Sequence, residues 1–474
     1  MMSNKFYITT TLPYINSEPH IGFAAEIIKA DVIARYHRFL GKEVIFNTGT
    51  DEHGLKIHRK AQEKGLDTQV FCDQMSQSFK DLKELLNLSY DRFIRTTDKN
   101  HVEAAQKFWQ ICADNGDIYK KKYAVKYCVG CELEKTESEL EDDRCPLHPN
   151  LELEIIEEEN YFFRWSKYQD KLEAFYSKNS GFVQPGFRFN EIKSFVKSGL
   201  RDFSISRLRE KMPWGVPVPG DNSQVMYVWF DALINYISTL GWPESQEFKD
   251  FWPGLQVAGK DNLKQQSAMW QAMLMSSGLK PSDKVLIFGF LTNEGQKISK
   301  SLGNSIDLKE LISKYGSEAI RYYLLSAIST YNDGDFSESR LKEVYNADLA
   351  NGLGNLSARL ANLIEKEELS LKLEFNPKAE ITLNFKRLMD EYKLQEAINF
   401  LWQEVDKINE YLSREAPWKE TDKEKKALIL KTAAIQLVNI SDLISIFLPE
   451  TGKKLFSQFK AEKIKKAESL FPRL

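Results

Sequence analysis

In the first hundred residues, apolar β-branched runs alternate with stretches of helical spacing, and this alternation restricts the fold more than any other feature. "FYITTTL" reads as a strand, and His20–Gly41 has helical spacing with Gly41 as its stop. "EVIFNT" is the next strand, "GLKIHRKAQEKG" and "DTQVFCDQMSQSFKDLKELLN" are helices, and "DRFIRTT" is again strand-like. Such an order predicts a parallel sheet with helices on its faces. Ligands of these sheets bind beyond the carboxyl ends of the strands, which here are residues 12–16 and 48–54. Pro19-His20-Ile21-Gly22 opens the first helix, where a histidine, a bare glycine and a helix N-terminus together suit a negatively charged group.

A chain of 474 residues exceeds one ordinary domain. Its 42% hydrophobic and 28% charged content describes a globular protein with a sizeable core. Net charge is −3, so any nucleic-acid surface is local. The longest apolar run, 285–291, is too short to span a bilayer, and a strand beginning almost at the first residue leaves no room for a targeting segment. A cytoplasmic protein with no membrane partner is therefore expected.

From about Tyr119 the texture changes to short strands, acidic stretches that read as a solvated rim, and three of the five cysteines. Strand–helix alternation resumes near 221, and from about Val344 only helical periodicity remains, with a polar break at "REAPWKETDKEKKA". The organisation predicted is 1–118 and 221–292 as two halves of one α/β domain, 119–220 as an insertion, 293–343 as a following segment, and 344–474 as an all-α domain.

Cys72 and Cys112 stand alone in helical patterns and read as small buried hydrophobes. Cys128, Cys131, Cys145 and His148 form C-x2-C-x13-C-x2-H. Two such pairs on tight turns supply four ligands for a closed, structural Zn²⁺ site. Further on, "GQKISKSLGNSIDLKEL" places lysines and serines between glycines, before a helix that Asp307 and Glu310 start as a capping box. A cationic loop of this kind suits a polyphosphate. Read alone, it is equally a charged surface loop.

The two signatures together, P-H-I-G after the first strand and K-I-S-K-S near the end of the α/β fold, resemble those of class I aminoacyl-tRNA synthetases. "TLPYINSEPHIGF", "GTDEHGLKI", the Cys/His insertion, "YVWFDALINYIS", "GQKISKSLGN", "NADLANGLGNLSARL" and "REAPW" are similar, in this order and over nearly the whole chain, to methionyl-tRNA synthetases. The resemblance implies a Rossmann-type catalytic domain with a zinc-binding connective insertion, a stem-contact segment, and an α-helical anticodon-binding bundle. It implies a methionine–tRNA ligase that activates methionine with ATP and Mg²⁺, then transfers it to the 3′-terminal adenosine of tRNA(Met), for protein synthesis and its initiation.

By the same resemblance, His20, Lys297 and Lys300 meet the charge developing on the phosphates, Gly22 lets adenine lie against backbone, and Asp261 binds the ribose. Asp51 pairs with the substrate ammonium; as a bland alternative it is a helix N-cap. Leu12, Tyr14, Trp229, Ala232, Tyr236, Asn262 and Gln266 line the methionine pocket, where aromatic faces suit a thioether. Trp229 and Tyr236 fall on one helical face, so core packing is their plain alternative. Asn355, Arg359 and Trp418 would read the CAU anticodon, the tryptophan by stacking.

Three positions depart from the family pattern. Phe23 stands where a second signature histidine is usual, Phe288 replaces a histidine, and Asn262, Gln265 and Gln266 replace an isoleucine and a phenylalanine–histidine pair. They keep open a non-catalytic, synthetase-like tRNA-binding protein or another class I synthetase, such as a cysteine enzyme. The chain stops at "SLFPRL", where longer relatives carry an extra tRNA-binding domain that dimerises them, so a monomer is expected.

Overall fold

The structure, a computed structural model, describes residues 4–131, 133–135, 139–293, 295–297, 306–369 and 379–474. In chain order it begins β1 (Lys5–Thr10), α1 (Ile21–Phe39), β2 (Glu43–Thr50), α2 (Leu55–Glu63), α3 (Thr68–Lys80), α4 (Leu82–Leu85), β3 (Arg92–Arg95) and α5 (Lys99–Asp114). The helix predicted over "DTQV…LLN" is thus two helices, parted at Asp81, with Asp67 capping the first through bonds from the Gln69 and Val70 amides. The chain divides into two compact units, each made of separated segments: Met1–Pro19, Lys42–Asp81 and Tyr90–Phe288; and His20–Gly41, Leu82–Ser89 and Gly289–Leu474.

The first unit is built on a six-stranded sheet that includes β12 (Leu255–Gly259), β13 (Lys284–Phe288) and β7 (Val183–Gln184). Strand order is β3-β2-β1-β12-β13-β7, and every pairing is parallel. From the β1–β12 junction chain order runs outward through β2 to β3 on one side and from β12 to β13 on the other, with the earlier strand β7 added at that edge. This junction is the topological switch point at which open α/β sheets bind ligands. The last residues of β1 and β2 are buried, as parallel strands covered on both faces must be. Gly49 of β2 allows a close approach, since a Cβ there would fall 1.8 Å from the Ile94 carbonyl oxygen.

The segment 119–220 contributes a four-stranded antiparallel sheet, β5-β4-β6-β8, in which β4 (Ile118–Cys128) and β6 (Glu154–Phe163) form a long ladder flanked by β5 (Leu133–Lys135) and β8 (Phe203–Ser204). It also holds α6 (Gln169–Lys178), α7 (Gly186–Lys197) and the short edge strand β7 of the central sheet. After β9 (Ser206–Leu208), β10 (Pro217–Val218) and β11 (Asp221–Met226) come α8 (Val228–Leu233) and α9 (Asn235–Ser238). An aromatic core of Phe108, Trp109, Phe230, Trp242 and Trp270 packs beneath them.

In the second unit α1 packs against the helices Ser317–Ser326 and Lys423–Phe447 and against β14 (Leu291–Asn293). β14 is the middle strand of a small sheet with β15 (Gln296–Lys297) and β16 (Gly334–Phe336). Beyond Val344 the described elements are helical, including Asn355–Lys366, Ala379–Asp390, Leu394–Glu415, Lys423–Phe447 and Pro449–Lys460. Lys423–Phe447 is long and apolar enough to cross a membrane by length and composition, which uninterrupted apolar runs did not reveal. It is the mostly buried helix against which its two neighbours in the chain pack.

Candidate functional site

In the first unit, residues 12–16 leave β1 beside the turn that follows β2. Tyr14 and Asp51 form an isolated parallel bridge. The Asp51 amide donates to the Pro13 carbonyl at 3.0 Å, and the Ile15 amide donates to the Asp51 carbonyl at 3.4 Å. Asp51 is buried, and Leu12 and Tyr14 are half-buried. The Tyr14 hydroxyl donates to the His53 carbonyl at 2.5 Å. Asp51 is not a helix cap, because α2 starts after Gly54, whose φ of 114° only glycine adopts readily.

The neighbours of Asp51 are tied on both sides. Buried Glu52 takes a two-pronged bond from Arg95, at 2.7 and 2.8 Å, plus hydroxyl bonds from Thr50 and Thr97. Buried His53 meets Asp231 of α8 at 2.5 Å, and Asp231 also meets buried His101 of α5 at 2.8 Å. These partners escaped the sequence reading. "GTDEHG" and "YVWFDA" marked the neighbourhood, but nothing in "KNHVEAA" singles out His101.

Trp229 and Ala232 lie on α8, and Tyr236 on α9, with the helical bonding broken at Ile234 between them. Ala232 and Tyr236 are buried, and Trp229 is half-buried with its indole N–H lacking a partner among the described residues. Gln266 donates to the Tyr236 hydroxyl at 2.6 Å, while Gln256 donates to Gln266 at 3.2 Å. Glutamine therefore fills the polar position with a neutral amide bonded through both its oxygen and its nitrogen. Asp261 is exposed and Asn262 half-buried in a short 3₁₀ turn after β12, joined by a 3.3 Å bond. Phe288 ends β13 as a core residue.

In the second unit His20 is the N-cap of α1. Its Nδ1 accepts the Gly22 amide at 3.1 Å, so the ring proton of the neutral form resides on Nε2. Phe23 follows in the first turn, half-buried. Lys297 is in β15, its side chain outside the described residues, and Lys300 lies outside them altogether. Asp307 caps the helix Leu308–Tyr315 through the Lys309 and Glu310 amides.

Arg359 and Asn355 share one helix, Asn355 exposed and Arg359 half-buried. The Arg359 guanidinium donates to Asn409 at 2.9 Å and sits 5.8 Å from the ring centroid of Trp418, which is 47% exposed. Its partial burial lowers the Arg359 pKa. An exposed indole beside a partly desolvated cation is a surface on which an unpaired base can stack.

Cys128, Cys131, Cys145 and His148 converge at the end of β4, with their donor atoms all within 4.8 Å of one another. The sulfur of Cys131 lies 3.3 Å from that of Cys145 and 3.2 Å from His148 Nδ1. Ligands about 2.3 Å from a tetrahedral ion are spaced about 3.7 Å apart, so small side-chain shifts that open the closest pairs and draw in the widest would seat one here. The bond from Cys131 draws the Cys128 thiol well below its ordinary range. At Gly130 a Cβ would fall 2.5 Å from the His148 ring, so the knuckle closes only around glycine. The residues present fit a divalent metal.

The model of the family described as "tRNA synthetases class I (M)" matches residues 6–154 and 130–361. The methionine–tRNA ligase of Thermotoga maritima is 42% identical over 98% of this chain and 77% of its own length. That of a Nostoc species is 42% identical over 96% and 89%. Among solved structures, Mycobacterium tuberculosis methionyl-tRNA synthetase bound by methionyl-adenylate superposes with a TM-score of 0.92 at 34% identity, covering 99% of this chain and 100% of that one. The apo form of that enzyme gives 0.84 at 31% identity. On a sequence match of this extent, joined to the parallel sheet and its metal-ligand knuckle, the chain belongs to the methionyl-tRNA synthetases of class I.

Proposed function

We propose that this protein activates methionine with ATP and transfers it to the 3′-terminal adenosine of tRNA(Met). The observation that carries the reading is the buried Asp51, held by backbone bonds beside Tyr14 next to the switch point of the sheet. A fixed anion in such a place pairs with the methionine ammonium and leaves the substrate carboxylate to attack the α-phosphate. Leu12, Tyr14, Trp229, Ala232, Tyr236, Asn262 and Gln266 form the rest of the pocket, with the aromatic faces against the thioether.

His20 offers its Nε2–H to the phosphate chain, reinforced by the N-terminus of α1. Gly22 faces adenine, Asp261 takes the ribose hydroxyls, and Lys297 and Lys300 stabilise charge on the leaving pyrophosphate. Mg²⁺ travels with ATP as part of the substrate. Zn²⁺ is the ion assigned to Cys128, Cys131, Cys145 and His148, where it cross-links the knuckle and takes no part in the reaction. Asn355, Arg359 and Trp418 contact the CAU anticodon. A cytoplasmic monomer accords with this reading.

Methionine-dependent exchange of pyrophosphate into ATP, followed by charging of a CAU transcript, is the test. Exchange with methionine and none with cysteine is the expected result. Exchange driven by cysteine, or none from folded protein, overturns the assignment.

A further inference from the structure

Asp231 has no exposed surface and is held between two imidazoles. Its Oδ2 meets His53 Nδ1 at 2.5 Å and its Oδ1 meets His101 Nε2 at 2.8 Å, while the other nitrogen of His101 meets the Ser238 hydroxyl at 2.9 Å. Burial pushes the Asp231 carboxyl up, but the two histidines outweigh it and hold the group down to about 2. It is therefore an acceptor at neutral pH, and the ring nitrogen of each histidine that faces it carries the hydrogen. A carboxylate buried this deeply is costly, and its two partners compensate for the lost water.

The bonds lead to two walls of one site. His53 is in the turn of Asp51, and its carbonyl receives the Tyr14 hydroxyl. Its ring lies edge-on to Trp214, with centroids 5.8 Å apart. The Trp214 indole donates to the Glu52 carbonyl at 2.6 Å, and its own carbonyl accepts from Gly54 at 3.1 Å. On the other side, Asp231 shares α8 with Trp229 and Ala232.

We propose that Asp231 is a positioning residue that fixes the Asp51 turn to α8 through His53, and so sets the geometry of the methionine ammonium site. The inference rests on the methionine-activating reading given above. Asp231 acts through His53 and need not touch substrate. In Asp231→Asn one acceptor oxygen becomes an N–H donor facing another donor, so one histidine must change tautomer or turn away. The turn is then free to shift, and displacements near 1 Å weaken productive binding severely.

The test measures KM for methionine and for ATP separately, by pyrophosphate exchange with the full chain. Asp231→Asn is expected to raise the methionine KM roughly ten- to a hundredfold while the ATP KM stays within about twofold. A second pair separates positioning from general loosening. The amide of His53→Asn keeps a donor near the place of Nδ1 and holds the methionine KM close to that of the parent, whereas His53→Leu reproduces the Asp231→Asn defect. This pair decides the matter alone if Asp231→Asn does not fold. Equal changes in both KM values or an unchanged methionine KM in Asp231→Asn, or His53→Asn as poor as His53→Leu, overturns the inference. A parent protein without methionine-driven exchange would instead overturn the functional reading, and the same assay shows this before any variant is compared.

Discussion

The imidazole of His20 does two things at once. Its Nδ1 satisfies the Gly22 amide, one of the orphan donors at the start of α1, which puts the ring hydrogen of the neutral form on Nε2, the nitrogen proposed above to donate to the phosphate chain. The roles separate by substitution, because asparagine caps helices well but cannot reach outward as Nε2 does. His20→Asn is expected to melt close to the parent temperature while kcat in the exchange reaction falls roughly 10²–10³-fold. His20→Ala should show the same kinetic loss plus about 1 kcal/mol of destabilisation from the missing cap. An asparagine variant with near-parental kcat would reduce His20 to a cap. At this scale the sequence was legible where local motifs mark a position. The resemblance of "TLPYINSEPHIGF" and "GTDEHG" to the family singled out Tyr14, His20 and Asp51, and the fold sets Tyr14 against Asp51 and makes His20 the cap of α1. His101 was not, since the fold alone brings it to Asp231. Glu52 and His53 stood in plain view within "GTDEHG", yet their roles depend on Arg95 and Asp231, which only the tertiary structure brings to them.

Elements with strong periodicity were readable and weakly periodic ones were not. β1 and β2 announce themselves by β-branched and aromatic residues, but β7 is a two-residue strand, Val183–Gln184, that exists only because β13 is there to pair with it. The π-helical turns at Gln265–Met269 and Tyr345–Gly354 hide for a related reason, as an extra residue per turn barely alters a helical pattern. The metal knuckle is the opposite case, since ligand spacing fixes it almost completely. It is also joined to α2: Lys56 donates to the Gly130 carbonyl at 3.3 Å, and Arg59 pairs with Glu154 at 3.1 Å. Cys145→Ser should release the bound metal, read by elemental analysis, and lower the melting temperature by more than roughly 5 °C. Gly130→Ala should do the same, because its methyl group would occupy the space of the His148 ring. Full metal content in both variants would sink the four-ligand assignment.

Across the whole molecule, the second unit must be assembled from three separate stretches of chain. One buried cluster ties all three together. Asp31 of α1 meets Arg321 at 2.7 Å with both side chains fully buried, and it also accepts from Arg35, the Ser89 amide and the Ser89 hydroxyl. Arg321 in turn donates to the carbonyls of Leu86 and Phe447. Burial raises the Asp31 pKa, but Arg321 and Arg35, with the Ser89 bonds, outweigh it and leave the carboxyl below its ordinary range. Between the folded value and the unfolded value of about 3.9, the unfolded chain binds the extra proton. Stability from this carboxylate is therefore complete above pH ~4 and is lost as pH falls through the folded value. Asp31→Asn leaves the Arg321 charge buried without its anion, a change that costs about 3–5 kcal/mol at neutral pH. The double variant Asp31→Asn with Arg321→Met should recover much of that loss, since removing both charges also removes the desolvation penalty. Urea unfolding from pH 6 to pH 3 should show a steeper acid decline for the parent than for either variant. Parallel curves, or a single variant as stable as the parent, would show that the cluster does not hold the three segments together.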